Sequence, residues 1–290
     1  MKKTMLALLC AGAVTLGVQA QETETSNWTF KNVGGINLAQ TSLTNWAPGG
    51  ENSVAWNIYF NGSANYKKDK WSWDNALVTD FGKTYTSSSK WQKSLDKLNL
   101  NSKVGYALSK RWNVSFLGDL LTQFAPGYQK PGDKNAISTF MAPGYLTMAL
   151  GADYKPNKHF SLLLSPVTGK MTFVLDETLS KAGAYGVKPG EKLFSELGTL
   201  IVANYNQDIM KNVNLISKLT LFSAYNHNFG NIDVNWDVML AFKINKFMSA
   251  NFSTSLVYDD DIKSKDAHGN IAGPKVQLRQ VLGLGLTYSL

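Results

Sequence analysis

The stretch Ile232-Asp-Val-Asn-Trp-Asp-Val-Met-Leu-Ala-Phe-Lys-Ile244 decides the fold. Ile232, Val234, Trp236, Val238, Leu240, Phe242 and Ile244 alternate with Asp233, Asn235, Asp237 and Lys243. A period of two sets an apolar face against a polar one, as in a strand buried on one side. Helical spacing does not fit it. The same alternation runs outward along the chain. Val54, Trp56, Ile58, Phe60, Ala64 and Tyr66 oppose Ser53, Asn57, Asn61, Ser63 and Asn65, while Leu98, Leu100, Val104, Tyr106 and Leu108 oppose Lys97, Asn99, Asn101, Lys103 and Gly105. Twelve strands are expected, at 28–44, 51–66, 71–84, 93–108, 112–125, 141–154, 160–175, 193–205, 213–225, 231–244, 247–258 and 274–290. In the seventh, the alternation slips phase at Pro166 and Gly169, so a bulge is expected there.

Alternation does not separate a soluble sandwich from a membrane barrel; the connections do. Tight turns follow the even strands: Lys67–Lys70, Ser109–Arg111, Lys155–His159, Asn206–Asn212 and Asn245-Lys246. Most other connections are longer, including Tyr85–Gln92, Pro126–Phe140, Asp176–Lys192 and Asp259–Gly273, although Asn45–Gly50 and Asn226–Gly230 are short. This pattern predicts an all-β, antiparallel up-and-down transmembrane β-barrel, with short periplasmic turns and longer extracellular loops. Most strands exceed the roughly 9–11 residues that a tilted membrane strand needs. Aromatic residues gather near strand ends in two expected girdles: Tyr66, Trp71, Trp73, Tyr106, Trp112, Tyr154 and Phe160 at the turn side, and Phe81, Tyr85, Phe124, Tyr225 and Tyr258 at the loop side. Gly285 and Tyr288 in the last strand match the terminal signal read by the barrel-assembly machinery, with Leu290 in place of the usual aromatic.

Composition supports export. Residues 1–20 read as a cleaved signal: Met1-Lys2-Lys3, an apolar run from Met5 to Gly17, and the small-residue site Val18-Gln19-Ala20. Residues 21–27 form a short polar lead, and 28–290 a single barrel domain. Cys10 is the only cysteine and leaves with the signal, which rules out a disulfide-stapled scaffold. Charged residues are 17% of the chain, against about 25% in ordinary soluble domains. The formal charge of +8 falls to +6 without Lys2 and Lys3, while the five tight turns alone carry +7. Those cations are placed to meet outer-membrane lipids with anionic headgroups. They form no stripe interleaved with exposed aromatics, so no nucleic-acid partner is expected.

Several longer motifs carry a resemblance. Asn37-Leu-Ala-Gln-Thr-Ser-Leu-Thr-Asn-Trp-Ala-Pro-Gly-Gly-Glu-Asn-Ser53, Tyr66-Lys-Lys-Asp-Lys-Trp-Ser-Trp-Asp74, Phe124-Ala-Pro-Gly-Tyr128, Phe140-Met-Ala-Pro-Gly-Tyr145, Asp153-Tyr-Lys-Pro-Asn157, Asp233-Val-Asn-Trp236 and Tyr258-Asp-Asp-Asp-Ile262 extend over nearly the whole mature chain. Together they resemble a Bacteroidota-type outer-membrane barrel family catalogued as domain of unknown function 3078. The resemblance implies a Gram-negative outer-membrane location. It transfers no catalytic or binding residue.

The residues themselves offer four candidate sites. Asp259, Asp260, Asp261 and Asp266 beside His268 have the hard oxygens that Ca²⁺ prefers, but they lack the EF-hand glycine and glutamate, so a solvated loop is the plainer reading. A lipid-hydrolysing pair would need Ser195 and Ser223 level with each other beneath His227. Three Ala-Pro-Gly tripeptides, at 47–49, 125–127 and 142–144, are explained as rim turns. The polar face is the main hint. Asp74, Asp80, Asp119, Asp153, Glu196, Asp233 and Asp237 balance Lys93, Lys97, Lys103, Lys218, Lys243, Lys275 and Arg279. Twelve strands enclose a bore between filled eight-stranded barrels and aqueous sixteen-stranded porins. The expectation is a non-enzymic barrel without catalytic residues or cofactors, most concretely a narrow, weakly selective pore for small polar solutes. A closed barrel serving surface binding or envelope assembly is the alternative, and an outer-leaflet lipid hydrolase the third. Whether loop 176–192 plugs the bore is left open.

A symmetric hairpin about Tyr85–Gln92 pairs Asp80 with Lys97 and Asp74 with Lys103, both towards the lumen, and the hairpin of strands nine and ten about Asn226–Gly230 pairs Lys218 with Asp237. The predicted orientation is tested by thiol labelling of intact cells: a cysteine at Lys130 should label well and one at Lys110 poorly. The reverse preference would invert the topology.

Overall fold

The computed structural model describes residues 26–42, 51–226, 229–245, 248–259, 263–265 and 271–289. Its strands are β1 (Trp28–Thr41), β2 (Ser53–Lys68), β3 (Trp71–Thr86), β4 (Lys90–Ala107), β5 (Trp112–Thr122), β6 (Gly144–Tyr154), β7 (Phe160–Phe173), β8 (Leu193–Met210), β9 (Val213–Ala224), β10 (Asp233–Lys243), β11 (Met248–Tyr258), β12 (Lys263–Lys265), β13 (Ile271–Pro274) and β14 (Gln277–Ser289). A short helix α1 spans Glu177–Lys181, where the Asp176 carboxylate accepts the Leu179 N–H. Sequential antiparallel pairing from β1 to β11, followed by β14 back onto β1, closes a twelve-stranded barrel; β12 and β13 form a separate small hairpin between β11 and β14. Each of the twelve expected strands is present in this wall.

The alternation sets the two faces. Phe30, Ile58, Trp73, Leu100, Phe116, Leu164, Leu197, Trp236 and Leu282 are exposed on the outer face. At the short-turn rim the expected girdle appears as ring pairs: Trp71 with Tyr106 at 5.0 Å and Trp112 with Tyr154 at 4.7 Å. The phase slip at Pro166 is also present, since the β7–β8 register shifts between Ser165 and Thr168 and the β6–β7 register between Leu150 and Ala152.

The hairpin registers match the sequence reading. Asp80 lies opposite Lys97, Asp74 opposite Lys103 and Asp237 opposite Lys218. The connections are shorter than expected in three places. Lys67 and Lys68 continue β2, while residues 85–86 and 90–92 continue β3 and β4 around a turn at 87–89. A register shift between Gly82 and Lys83 preserves the Asp80–Lys97 pairing there. Residues 206–210 were expected in a turn but continue β8, leaving Lys211-Asn212 as the turn, with Asn212 at φ 64°. The polar run Asn206-Gln-Asp208 reads as loop, yet the Asn214 amide donates to both Asn206 and Asp208 and holds the ladder together. The register moves accordingly. Thr199, not Ser195, lies opposite Ser223.

The inside of the barrel is not uniform. On the β5–β9 wall the inward positions Leu117, Ala149, Leu163, Leu200, Val202, Phe222 and Ala224 are buried and pack as one apolar cluster. This half is filled by side chains. On β11 the inward positions Ser249, Asn251, Ser253 and Ser255 are small, polar and partly exposed. Leu200→Ala should therefore cost about 2–5 kcal/mol of stability, while Ser253→Ala should stay within about 0.5 kcal/mol. Denaturant titration of the folded barrel measures both; similar losses would mean that the two halves are packed alike.

Candidate functional site: two charged layers in the barrel interior

Two ionic clusters lie on the inner face, one on each side of the apolar cluster. Near the long-loop end, the Lys170 ammonium sits 2.8 Å from Asp233 Oδ2 and 3.4 Å from Glu196 Oε2, 5.0 Å above the Phe222 ring. Three strands supply this group. β7 provides Lys170, β8 provides Glu196 and β10 provides Asp233. Near the short-turn end, Asp153 accepts from Lys103 at 2.9 Å, while Lys155 lies 3.4 Å from Asp153 and 3.5 Å from Asp74. Lys103 thus reaches past β5 to a carboxylate on β6. Asp153 Oδ1 and Ser115 Oγ are buried there without a hydrogen-bond partner.

Three further lumen carboxylates bond to neutral neighbours. Asp80 accepts from Asn57 at 2.8 Å, Asp119 from Asn99 at 3.1 Å and Asn101 at 2.8 Å, and Asp237 from Ser255 at 2.6 Å. The register places Asp80 beside Lys97 and Asp74 beside Lys103, but both lysine-paired contacts expected from it are replaced: Asn57 holds Asp80, and Lys155 takes Asp74. Backbone register determines which residues are adjacent; it does not determine which neighbour a long lysine chooses across a curved wall. Lys243 and Arg279, with Asp237, remain exposed on inward positions of β10 and β14, as does Asn61 on β2.

The long-loop end is partly roofed. Val174, Leu179 and Val187 of the loop between β7 and β8 pack with Ala142, Tyr185 and the inward Phe194. The Tyr185 hydroxyl donates to the Ile137 carbonyl, joining this loop to the one between β5 and β6, and burial pushes its phenol pKa up. Asp96 anchors the β5–β6 loop, accepting from Phe124 N at 2.7 Å and Ala125 N at 2.9 Å, with Lys93 at 2.8 Å. On the neighbouring rim, Glu51 accepts from the backbone N–H and hydroxyl of Ser88, which hold its carboxyl below the usual range.

Other candidates do not assemble. Ser195 faces outward, exposed and opposite Met171. Ser223 lies opposite Thr199 because β8 is longer than its sequence suggested. His227 and His268 lie outside the described residues, and His159 Nδ1 sits 3.1 Å from the Asn206 carbonyl in a turn. Asp259 is partly exposed beyond β11; Asp260, Asp261 and Asp266 lie outside the described residues. Among described residues no group of His, Cys, Asp or Glu is arranged to hold a metal ion. Of the Ala-Pro-Gly turns, 125–127 bridges through Gly127 to Ser138, Ala142 is buried under the roof, and 47–49 lies outside the described residues. The principal residue missed by the sequence reading is Lys170. Alternation counted through Pro166 turns it outward; the bulge turns it in.

Residues 38–128 match the profile of a family described as protein of unknown function (DUF3078). The motifs beyond Tyr128 fall outside the matched span. No curated protein matches the sequence. Among solved structures, an outer membrane channel from Pseudomonas putida F1 is 11% identical, with 95% of this chain and 100% of that chain covered and a TM-score of 0.42. The translocator domain of the autotransporter NalP from Neisseria meningitidis is 9% identical, with coverages of 92% and 89% and a TM-score of 0.34. The toluene transporter TodX from Pseudomonas putida is 9% identical, with coverages of 92% and 89% and a TM-score of 0.30.

The Lys170 cluster makes an asymmetric prediction. Lys170→Met leaves two carboxylates close together and should cost about 3 kcal/mol. Glu196→Gln retains the Asp233 contact and should cost less. Combining Lys170→Met with Glu196→Gln and Asp233→Asn should restore part of the loss. Urea midpoints of the four proteins test this ordering.

Proposed function

We propose that the chain is a non-enzymic outer-membrane pore for small polar solutes, exported by a signal at residues 1–20 and inserted through its last strand by the barrel-assembly machinery. One observation carries the reading: inward-facing Asn61, Asn235, Asp237, Lys243 and Arg279 remain exposed, although the opposite wall of the same bore is buried. Water therefore has access to one side of the interior, along a wall of polar and charged side chains. The apolar cluster keeps the path narrow, and the loop roof covers part of one mouth.

The hydrated wall favours anions slightly. Its exposed inward charges are Lys31, Lys243 and Arg279 against Asp237. The neutral balance expected from the sequence omitted Lys31 and Lys170. Fixed charge beside a narrow aqueous path biases permeation, so planar bilayers should show small channels with a modest anion preference. Lys243→Glu with Arg279→Glu should shift the reversal potential towards cations. Strong cation preference in the native protein would contradict this pore. Complete absence of conductance would instead support the closed-barrel reading, which the packed roof of Leu179, Val187 and Phe194 favours.

A further inference from the structure

On the outer face of β1–β6, reaching from the short-turn half of β2 and β3 to Leu120 and Leu146 on β5 and β6, lies a shallow hollow of about 500 Å³. Gly62, Ala64 and Gly118 form its low floor, with Phe30, Phe60 and Leu100 among its walls. Asn75 and Ser102 also line it, although this surface faces hydrocarbon. They belong to a hydrogen-bond chain: Trp73 Nε1 donates to Ser102 Oγ at 2.9 Å, Ser102 to Asn75 Oδ1 at 2.8 Å, and Asn75 Nδ2 to the Ala64 carbonyl at 3.2 Å. A side-chain amide carries two hydrogens, so Asn75 keeps one for an acceptor from the membrane.

Immediately beyond the hollow stands a basic rim. Lys68 at the outward-facing end of β2, Lys70 on the β2–β3 turn, and Lys110 and Arg111 on the β4–β5 turn are exposed, with Asp69 the one acid in these two turns. Ala64 is four residues from Lys68 on the same face, about 13 Å along the strand. Between them lies the aromatic belt, where Trp28 packs 5.2 Å from Tyr66 and 5.7 Å from Trp73. Cation, aromatic belt, ester-level donor and apolar hollow follow in the order of a phospholipid's own groups.

We propose that this surface binds one anionic glycerophospholipid of the periplasmic leaflet. Its phosphate lies against Lys68 and Lys70, an ester carbonyl accepts from Asn75, and an acyl chain fills the hollow over Gly62 and Gly118. Charge selects the lipid, because clustered basic residues beside a membrane recognise anionic headgroups. The hollow fixes where that lipid sits.

Native mass spectrometry of the purified full barrel, titrated with phosphatidylglycerol or phosphatidylethanolamine, tests the proposal. One phosphatidylglycerol should be retained in preference to phosphatidylethanolamine. Each lysine removed, by Lys68→Ala or Lys70→Ala, should weaken retention about fivefold. Gly118→Phe should abolish the preferred site; a Cβ there meets nothing closer than 3.9 Å, so the side chain leaves the backbone freely and its ring occupies the hollow. The lysine series keeps the test valid should the phenylalanine variant not fold. Equal retention of both lipids, or retention unchanged by Gly118→Phe or by the lysine removals, would overturn the assignment. A lipid-free dimer that Gly118→Phe dissociates would overturn it in favour of a second copy.

Discussion

Backbone hydrogen bonding in a water-free medium governs everything else in this protein. Hydrocarbon offers no partner to an open N–H or C=O, so a spanning sheet must close on itself. Closure rests on the contact between the first and last strands, Val33–Asn37 against Gly285–Ser289, far shorter than the β1–β2 ladder. Glycine makes the approach possible there. A Cβ on Gly35 would lie 2.6 Å from the Leu286 carbonyl, and one on Gly285 2.8 Å from that of Ile36. Once the ring is closed, the period of two has no freedom left: one face meets lipid and the other the bore.

The bore then divides by chemistry. β5 to β9 turn valine, leucine and phenylalanine inward, and dispersion and burial collapse that wall into a packed half. β10, β11 and β14, continuing through β1 and β2, turn serine, asparagine and charged residues inward, which gain more from water than from one another. Lys170 marks one end of the packed half and Asp153 the other, each held by opposite charge. Ion pairs at such positions contribute little net stability but are costly to break singly. They cap an apolar filling and leave the hydrated side open.

Much of this was legible in the residues, and the exceptions have physical causes. Strand positions follow from alternation, a local property. The Asp80–Lys97 pairing is expected from a symmetric loop, although the structure attains it through a tighter turn and a register shift between Gly82 and Lys83. Lys170 was not legible because a single bulge at Pro166 inverts every later position on its strand. The extension of β8 through Asn206–Met210 was hidden by loop-like composition, whose polar side chains bond across the ladder instead. The Lys103–Asp153 and Lys155–Asp74 pairs join strands that are not neighbours in sequence. Only the barrel's curvature brings them together. The division of the bore was likewise obscured, because one inward leucine reads like another until its neighbours across the wall are known.

The central claim is that one half of the bore is wet and the other dry, and thiol accessibility tests it most directly. Cysteines placed one at a time at Asp237 and Leu200, in barrels reconstituted into vesicles, would be exposed to a charged, membrane-impermeant methanethiosulfonate. The account predicts rapid modification at position 237 and protection at position 200. Equal protection at both would show a closed, filled barrel, and equal reactivity would show that the apolar cluster does not exclude water.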